Sequence, residues 1–100
     1  MTEESAIEKE IKEKGLTAPR VTPDMIRSEI VAEQYHVFQG SQLTVCCLTL
    51  QNGFTVTGES ACASPENFDA EIGSRIAFDK ACDKIGPLLG FRLRAELAAQ

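Results

Sequence analysis

The chain of 100 residues contains no tryptophan, one tyrosine and one histidine, with five phenylalanines as its other aromatics. Its core must therefore rest mainly on isoleucine, leucine, valine and alanine. With a single histidine, His36, imidazole chemistry is confined to one position. No apolar run approaches the ~20 residues that a membrane helix needs. Met1 is followed by Thr2, Glu3 and Glu4 rather than by a basic and then apolar stretch, so no secretion signal is expected. The four cysteines, Cys46, Cys47, Cys62 and Cys82, then read as reduced thiols of a cytoplasmic protein rather than a disulfide framework.

A basic cluster is also missing. Net charge is −5, and Arg20, Arg27, Arg75, Arg92 and Arg94 are scattered among carboxylates. Nucleic-acid binding depends on neutralising phosphates, so no direct binding is expected. There is no glycine-rich phosphate loop and no Cys-x-x-Cys pair. Adjacent Cys46 and Cys47 point to opposite faces of a strand, and neither Cys62 nor Cys82 has a partner at ligand spacing. No metal, cofactor or redox dithiol is expected.

What is present describes one small α+β domain. The composition, 43% hydrophobic and 25% charged, is ordinary for a globular protein. A domain of this size buries only about two thirds of its unfolded surface, so self-association is a natural source of further stability. We expect a homo-oligomer.

Residues 1–15 form a charged arm and 16–100 the domain. In the arm, Ile7 and Ile11 make a narrow apolar stripe, and Glu8–Lys12 and Glu10–Lys14 stand four apart in the favourable order. Gly15 ends it and a linker follows. Thr22-Pro23-Asp24 is a strong helix start, with a hydroxyl cap, proline at the first helical position and an acid in the first turn. This helix is expected to run to about Glu33. Residues 34–39 favour an extended segment, a candidate third strand. Leu43 to Leu50 is the clearest strand, Asn52-Gly53 the turn, and Phe54 to Glu59 the return strand.

The hairpin register can be argued. A two-residue loop would divide the apolar residues between both faces. A three-residue loop with left-handed Gly53 pairs Leu50 with Phe54 and Leu48 with Val56. It collects Cys46, Leu48, Leu50, Phe54 and Val56 on one face, and Cys47, Thr49, Thr55 and Thr57 on the other. The three-residue loop is expected.

Ser64-Pro65-Glu66 repeats the cap-proline-acid pattern and predicts a helix from Pro65 to about Ile85. Phe68, Ile72 and Ile76 form one stripe, expected to return onto the hairpin. Ala77, Phe78, Ala81 and Ile85 lie on a roughly opposite face that needs a second partner. Gly86-Pro87 is expected to break the helix, and Leu88 to Ala99 to form a last one. The fold expected is thus an antiparallel hairpin, three-stranded if residues 34–39 join it, against three to four helices.

Few groups suggest catalysis. Cys62 precedes a helix start, where backbone N–H groups can lower a thiol pKa, but its only candidate imidazole is His36, on another element. Glu59, Glu66, Asp69 and Glu71 lie close together, as acids near a helix start commonly do. The Pro65 helix start offers an anion site only if another subunit supplies Arg75, Lys80 or Arg92. No catalytic residue is assigned. Folding does not account for Thr55, Thr57, Glu59, Ser60 and Asn67, so these, with Arg75, form the candidate binding surface.

The stretch Asn52 to Cys62 (NGFTVTGESAC), continued by Ser64 to Gly73 (SPENFDAEIG), resembles a family of small tailed-phage and prophage proteins. That family is catalogued after gene product forty-nine of a coliphage and gene product sixty-six of a Shigella phage. The likeness takes in Pro19 to Asp24 and Ala81 to Leu97, covering roughly residues 16–98. Where the family's tail often carries a Trp and a Tyr, this chain has Gly86 and Phe91. The resemblance implies phage origin and an accessory role in the host cytoplasm, and it supplies no catalytic residues. The expected function is non-enzymatic binding of a host or defence protein, or of a small nucleotide-like ligand between subunits. The alternatives are a minor virion or assembly component and a small enzyme using Cys62.

Overall fold

A computed structural model describes residues 2–16 and 18–100 of the chain. Met1, on which the reading of the leader partly rests, and Thr17 in the linker lie outside the described residues. The elements in order are α1 (Thr2–Glu13), α2 (Pro23–Glu29), β1 (Ile30–Val37), β2 (Leu43–Leu50), β3 (Thr55–Ala61), a 3-10 turn (Pro65–Asn67) and α3 (Ala70–Ala98). The strands form one antiparallel sheet in the order β1-β2-β3, so the α+β architecture with a third strand holds.

The three-residue loop is as expected. Gly53 has φ +90° and donates its N–H to the Leu50 carbonyl at 2.9 Å. Leu50 N–H donates to the Phe54 carbonyl at 2.8 Å, and Leu48 lies opposite Val56. Cys46, Leu48, Leu50 and Val56 are buried together. Phe54 shares their side of the sheet but is 57% exposed, lining an open cleft between the hairpin tip and Leu88 and Leu89 of the long helix.

Three expectations need correction. First, α2 stops at Glu29 and β1 begins at Ile30, four residues before the expected extended segment. Thr22 caps α2 as expected, its Oγ1 accepting from the Met25 N–H at 3.3 Å. The β-branched pair Ile30-Val31 then favours the ladder, where Ile30 faces Leu50 across a bulge.

Second, Ser64-Pro65-Glu66 opens only the 3-10 turn, and the Ser64 side chain makes no capping bond. The cap of the long helix is Asp69, which accepts from the Ile72 N–H at 3.0 Å. That helix runs unbroken through Gly86-Pro87 for 29 residues. Proline removes one N–H, so the carbonyl four residues back, on Asp83, loses its helical partner. Pro87 and Asp83 are both exposed, where water can substitute. The separate helix expected at 88–99 is the end of this one.

Third, the face of α3 that meets the sheet is the small one. Gly73, Ala77, Ala81, Ile85 and Leu89 are buried against it, while Ile72 and Ile76 are exposed at 51% and 42%. The reason lies on β3. A Cβ built at Gly58 would overlap the Ala77 carbonyl oxygen and the Ala81 nitrogen, and would lie 2.9 Å from the Lys80 carbonyl carbon. The helix backbone therefore rests directly on the strand. A stripe of Phe68, Ile72 and Ile76 is too bulky for that approach, and alanine is not.

Helix α3 packs mainly on β2 and β3. Every residue of β1 after Ile30 is exposed. Val21, Ile26, Ile30, Phe78 and Cys82 complete the core at its margins. Arm α1 is held by Arg20, whose guanidinium donates two bonds to the Glu8 carboxylate at 2.9 and 2.8 Å. Arg20 is thus the stronger partner of Glu8, with the charge of Lys12 adding to it, while Glu10–Lys14 pairs as expected at 3.0 Å.

Candidate functional site

With α3 on one side of the sheet, alternation sends a second set of side chains to the other. Register aligns them in rows across the three strands: Ala32, Thr49 and Thr55; then Gln34, Cys47 and Thr57; then His36, Val45 and Glu59. The β1 and β3 positions are exposed, apart from half-buried Thr57, and the β2 positions are half-buried between them. The Thr57 hydroxyl donates to Glu59 Oε2 at 3.3 Å. The His36 ring meets Phe38 edge-on, with centroids 4.6 Å apart. This outer face is mainly uncharged and rich in threonine.

The structure divides the six candidate binding residues into three groups. Thr55, Thr57 and Glu59 are brought together on the outer face. Ser60, whose partner in the ladder is the buried Thr44, belongs to the helix side and lines a small cavity of about 110 Å³ with Asn67, Cys62 and Phe68. Arg75 stands exposed on α3, its guanidinium 3.5 Å from Glu71 as expected, and so lies across the sheet from the threonines. One ligand cannot contact all six within a single copy.

Cys62 is placed differently from the sequence argument. It is followed by a three-residue 3-10 turn, too short to align N–H groups on a thiol, and its Sγ donates to the Ser64 carbonyl at 3.2 Å. The same geometry removes the anion site proposed at Pro65. His36 lies on β1 at the opposite edge of the sheet from β3, roughly two strand spacings or ~10 Å away. Cys46 and Cys47 face opposite sides, Cys46 fully buried and Cys47 half-buried on the outer face. Among the described residues no three His, Cys, Asp or Glu side chains are placed to hold a metal ion.

Sequence reasoning placed the third strand at 34–39 and missed the first half of β1 and what its helix-side face contributes. On its helix-side face Glu33, Tyr35 and Val37 stand opposite Leu48, Cys46 and Thr44. The Tyr35 hydroxyl donates to Glu33 Oε1 at 3.2 Å. Desolvation, then the neighbouring Cys46 and Glu33, push the Tyr35 phenol upward. Burial, with Asp79 next, pushes the Cys82 thiol up to about 11. Burial likewise raises Cys46. These groups are held neutral at physiological pH, which suits a core margin rather than a nucleophile. The signal that could have found β1 is Ile30-Val31, β-branched residues at the end of a helix only seven residues long.

Between the hairpin tip and the second half of α3 lies a cleft of about 250 Å³, lined by Leu50, Phe54, Leu88 and Leu89. Glu29 and Arg92 pair at its edge, 3.4 Å apart. No helix of the described residues is long and apolar enough to cross a membrane.

Comparison with curated proteins and with solved structures yields no match. A family model does match, over residues 21–97, the span that holds α2, the whole sheet and nearly all of α3. The chain thus belongs to the phage protein family described as N4 Gp49/phage Sf6 gene 66.

Proposed function

We propose that this phage protein is an accessory factor of the host cytoplasm that acts by binding a protein partner rather than by catalysis, and that the outer sheet face is its recognition surface. The observation that carries this reading is the set of three cross-strand rows, from Ala32–Thr49–Thr55 to His36–Val45–Glu59, on which no described element packs. An exposed, mainly uncharged face of this kind suits a protein surface. Small ligands occupy concave sites of roughly 300–1,000 Å³; the cavity that Ser60 and Asn67 line is well below that range, and the cavity of about 550 Å³ between α1 and α2 contains none of the six candidate residues. Host or defence proteins are the targets that fit an accessory role.

Thr57→Arg and Cys47→Arg place a long cation at the centre of the face without touching the core. Tagged wild-type protein is expected to retain a defined partner from infected cells, and both variants to lose it while melting normally. A partner retained by both variants, or no partner for the wild type, overturns the reading. Iodoacetamide labelling separates binding from Cys62 chemistry: Cys62 is expected to react no faster than a free thiol at neutral pH, and hyper-reactivity would favour an enzyme.

A further inference from the structure

We infer that β1 is a self-pairing edge, and that two copies join through it into one continuous six-stranded antiparallel sheet. This inference does not depend on the outer-face reading, because it concerns the backbone edge of β1 rather than the outer side of the sheet.

The direction of the free hydrogen-bonding groups follows from one bond. Phe38 N–H donates to the Leu43 carbonyl at 3.3 Å, so Phe38 points its backbone toward β2. Antiparallel strands alternate, so His36, Gln34 and Ala32 also point inward, and Val37, Tyr35 and Glu33 direct their N–H and C=O outward. Among the described residues no strand meets that edge. Globular proteins blunt free edges with proline, lysine or a covering element. The sequence Ile30–Val37 contains neither proline nor lysine, and its one charged residue is Glu33. Its bulge lies at Ile30/Ala32, leaving the rest regular.

A second copy fits this edge better than an unrelated strand because the edge is complementary to itself. With the two-fold axis at Tyr35, Tyr35 faces Tyr35 of the other copy, Glu33 faces Val37 and Gln34 faces His36. Residues that face each other then belong to the same side of the sheet, and no like charges meet. The three outward-pointing pairs exchange about six N–H···O bonds. Sliding the register so that Glu33 meets its own copy would oppose two carboxylates, which selects against that alignment.

The apolar surface is also there. Tyr35 and Phe38 are 40% and 48% exposed and Val31 and Val37 are 60% and 40% exposed. Applied to the 150–250 Å² of an aromatic side chain, with less for valine, this leaves roughly 300 Å² of apolar surface along the edge. A standard interface buries about 800 Å² per partner, a little over half of it apolar. The edge supplies most of the apolar share and the ladder supplies the hydrogen bonds.

Sedimentation velocity of the purified full chain at high micromolar concentration is expected to give twice the 10.9 kDa chain mass. A single species at the chain mass overturns the proposal. Tyr35→Pro removes an outward N–H while sparing the β1–β2 ladder, and is expected to return the protein to monomer with an unchanged circular dichroism spectrum. A dimer that survives this change also overturns it. Should Tyr35→Pro unfold, Tyr35→Cys decides the matter in a background of Cys46→Ala, Cys47→Ser and Cys62→Ser, the first of these removing the thiol that faces position 35 within the same copy. Hydrogen-bonded antiparallel partners have Cα atoms ~5.5 Å apart, within disulfide range. Oxidation should therefore yield a covalent dimer, and its failure to do so counts against the register. Because Thr57→Arg and Cys47→Arg lie off this edge, they are expected to leave the dimer intact, so the two proposals fail separately.

Discussion

Gly58 is the residue on which the two layers meet. Its missing side chain lets the backbone of α3 approach β3, and the atoms a Cβ would strike, on Ala77, Lys80 and Ala81, are all main-chain atoms with no rotamer to turn aside. Gly58→Ala must therefore lift the helix or bend the strand. Overpacking of a well-packed core costs about 1–3 kcal/mol and occasionally more, and this position belongs at or above the upper end. Urea denaturation is expected to show a loss of about 3 kcal/mol. Gly90→Ala, where a Cβ meets nothing within 4 Å, is the control. It is expected to be neutral or stabilising by up to about 1 kcal/mol through helix propensity. Equal losses at the two glycines would refute the close approach.

At the scale of elements, α3 carries both the clearest success and the clearest failure of local signals. The hairpin before it was legible because a strand has a period of two. Only one register gathers Cys46, Leu48, Leu50 and Val56, and the structure has it. The helix was harder. Ser64-Pro65 and Gly86-Pro87 are good local start and stop signals, yet Asp69 is the cap and the helix passes through Pro87. Tertiary packing decided both: the buried row Gly73, Ala77, Ala81, Ile85 and Leu89 is continuous across the proline and keeps both halves of the helix on the sheet. Ala77, Ala81 and Ile85 could be read as one face, but their small first members made the bulkier stripe of Phe68, Ile72 and Ile76 look like the side that meets the sheet. The same gap explains the candidate site. Thr55, Thr57 and Glu59 could be placed on one face by alternation alone. The position of Arg75 depended on which side of α3 meets the sheet, which only Gly58 decides.

Pro87 is then a tolerated defect in a helix held by its packing. Proline inside a helix costs about 3 kcal/mol through the lost bond and the ring's clash with the preceding turn. Pro87→Ala is accordingly expected to raise the unfolding free energy by about 1–3 kcal/mol, with no change in helix content beyond the repaired turn. Calorimetry with circular dichroism checks this. A destabilised variant would mean that the proline's bend is needed to seat Leu88 and Leu89.

On the scale of the whole molecule, the chain spans 52 × 31 × 18 Å, the short dimension being little more than one helix on one sheet. Helix α3, at about 43 Å, is longer than the roughly 26 Å of an eight-residue strand, so its last turns project past the sheet and Phe91 is 80% exposed. Arm α1 lies outside this two-layer unit. Its Ile7 is 51% exposed, and its named anchor is the Glu8–Arg20 pair. Removing residues 1–15 is therefore expected to leave the urea midpoint at pH 7 nearly unchanged.

The acid side should differ. The hydrogen bonds from Arg20 hold the Glu8 carboxyl below its usual range. A group whose pKa is depressed by folding stabilises the folded state fully above its unfolded value, and that contribution disappears as pH falls through the folded value. The arm should thus undock below the ordinary glutamate range, at a pH set by Glu8, while the sheet and α3 persist. Amide exchange read against pH, corrected for the intrinsic rate, is expected to show residues 6–13 losing protection before Cys46 or Leu48 does. In Arg20→Met the arm should be unprotected already at neutral pH, with the sheet unaltered. If deletion of residues 1–15 unfolded the domain, or if α1 and β2 lost protection together, the arm would have to be counted as part of the fold.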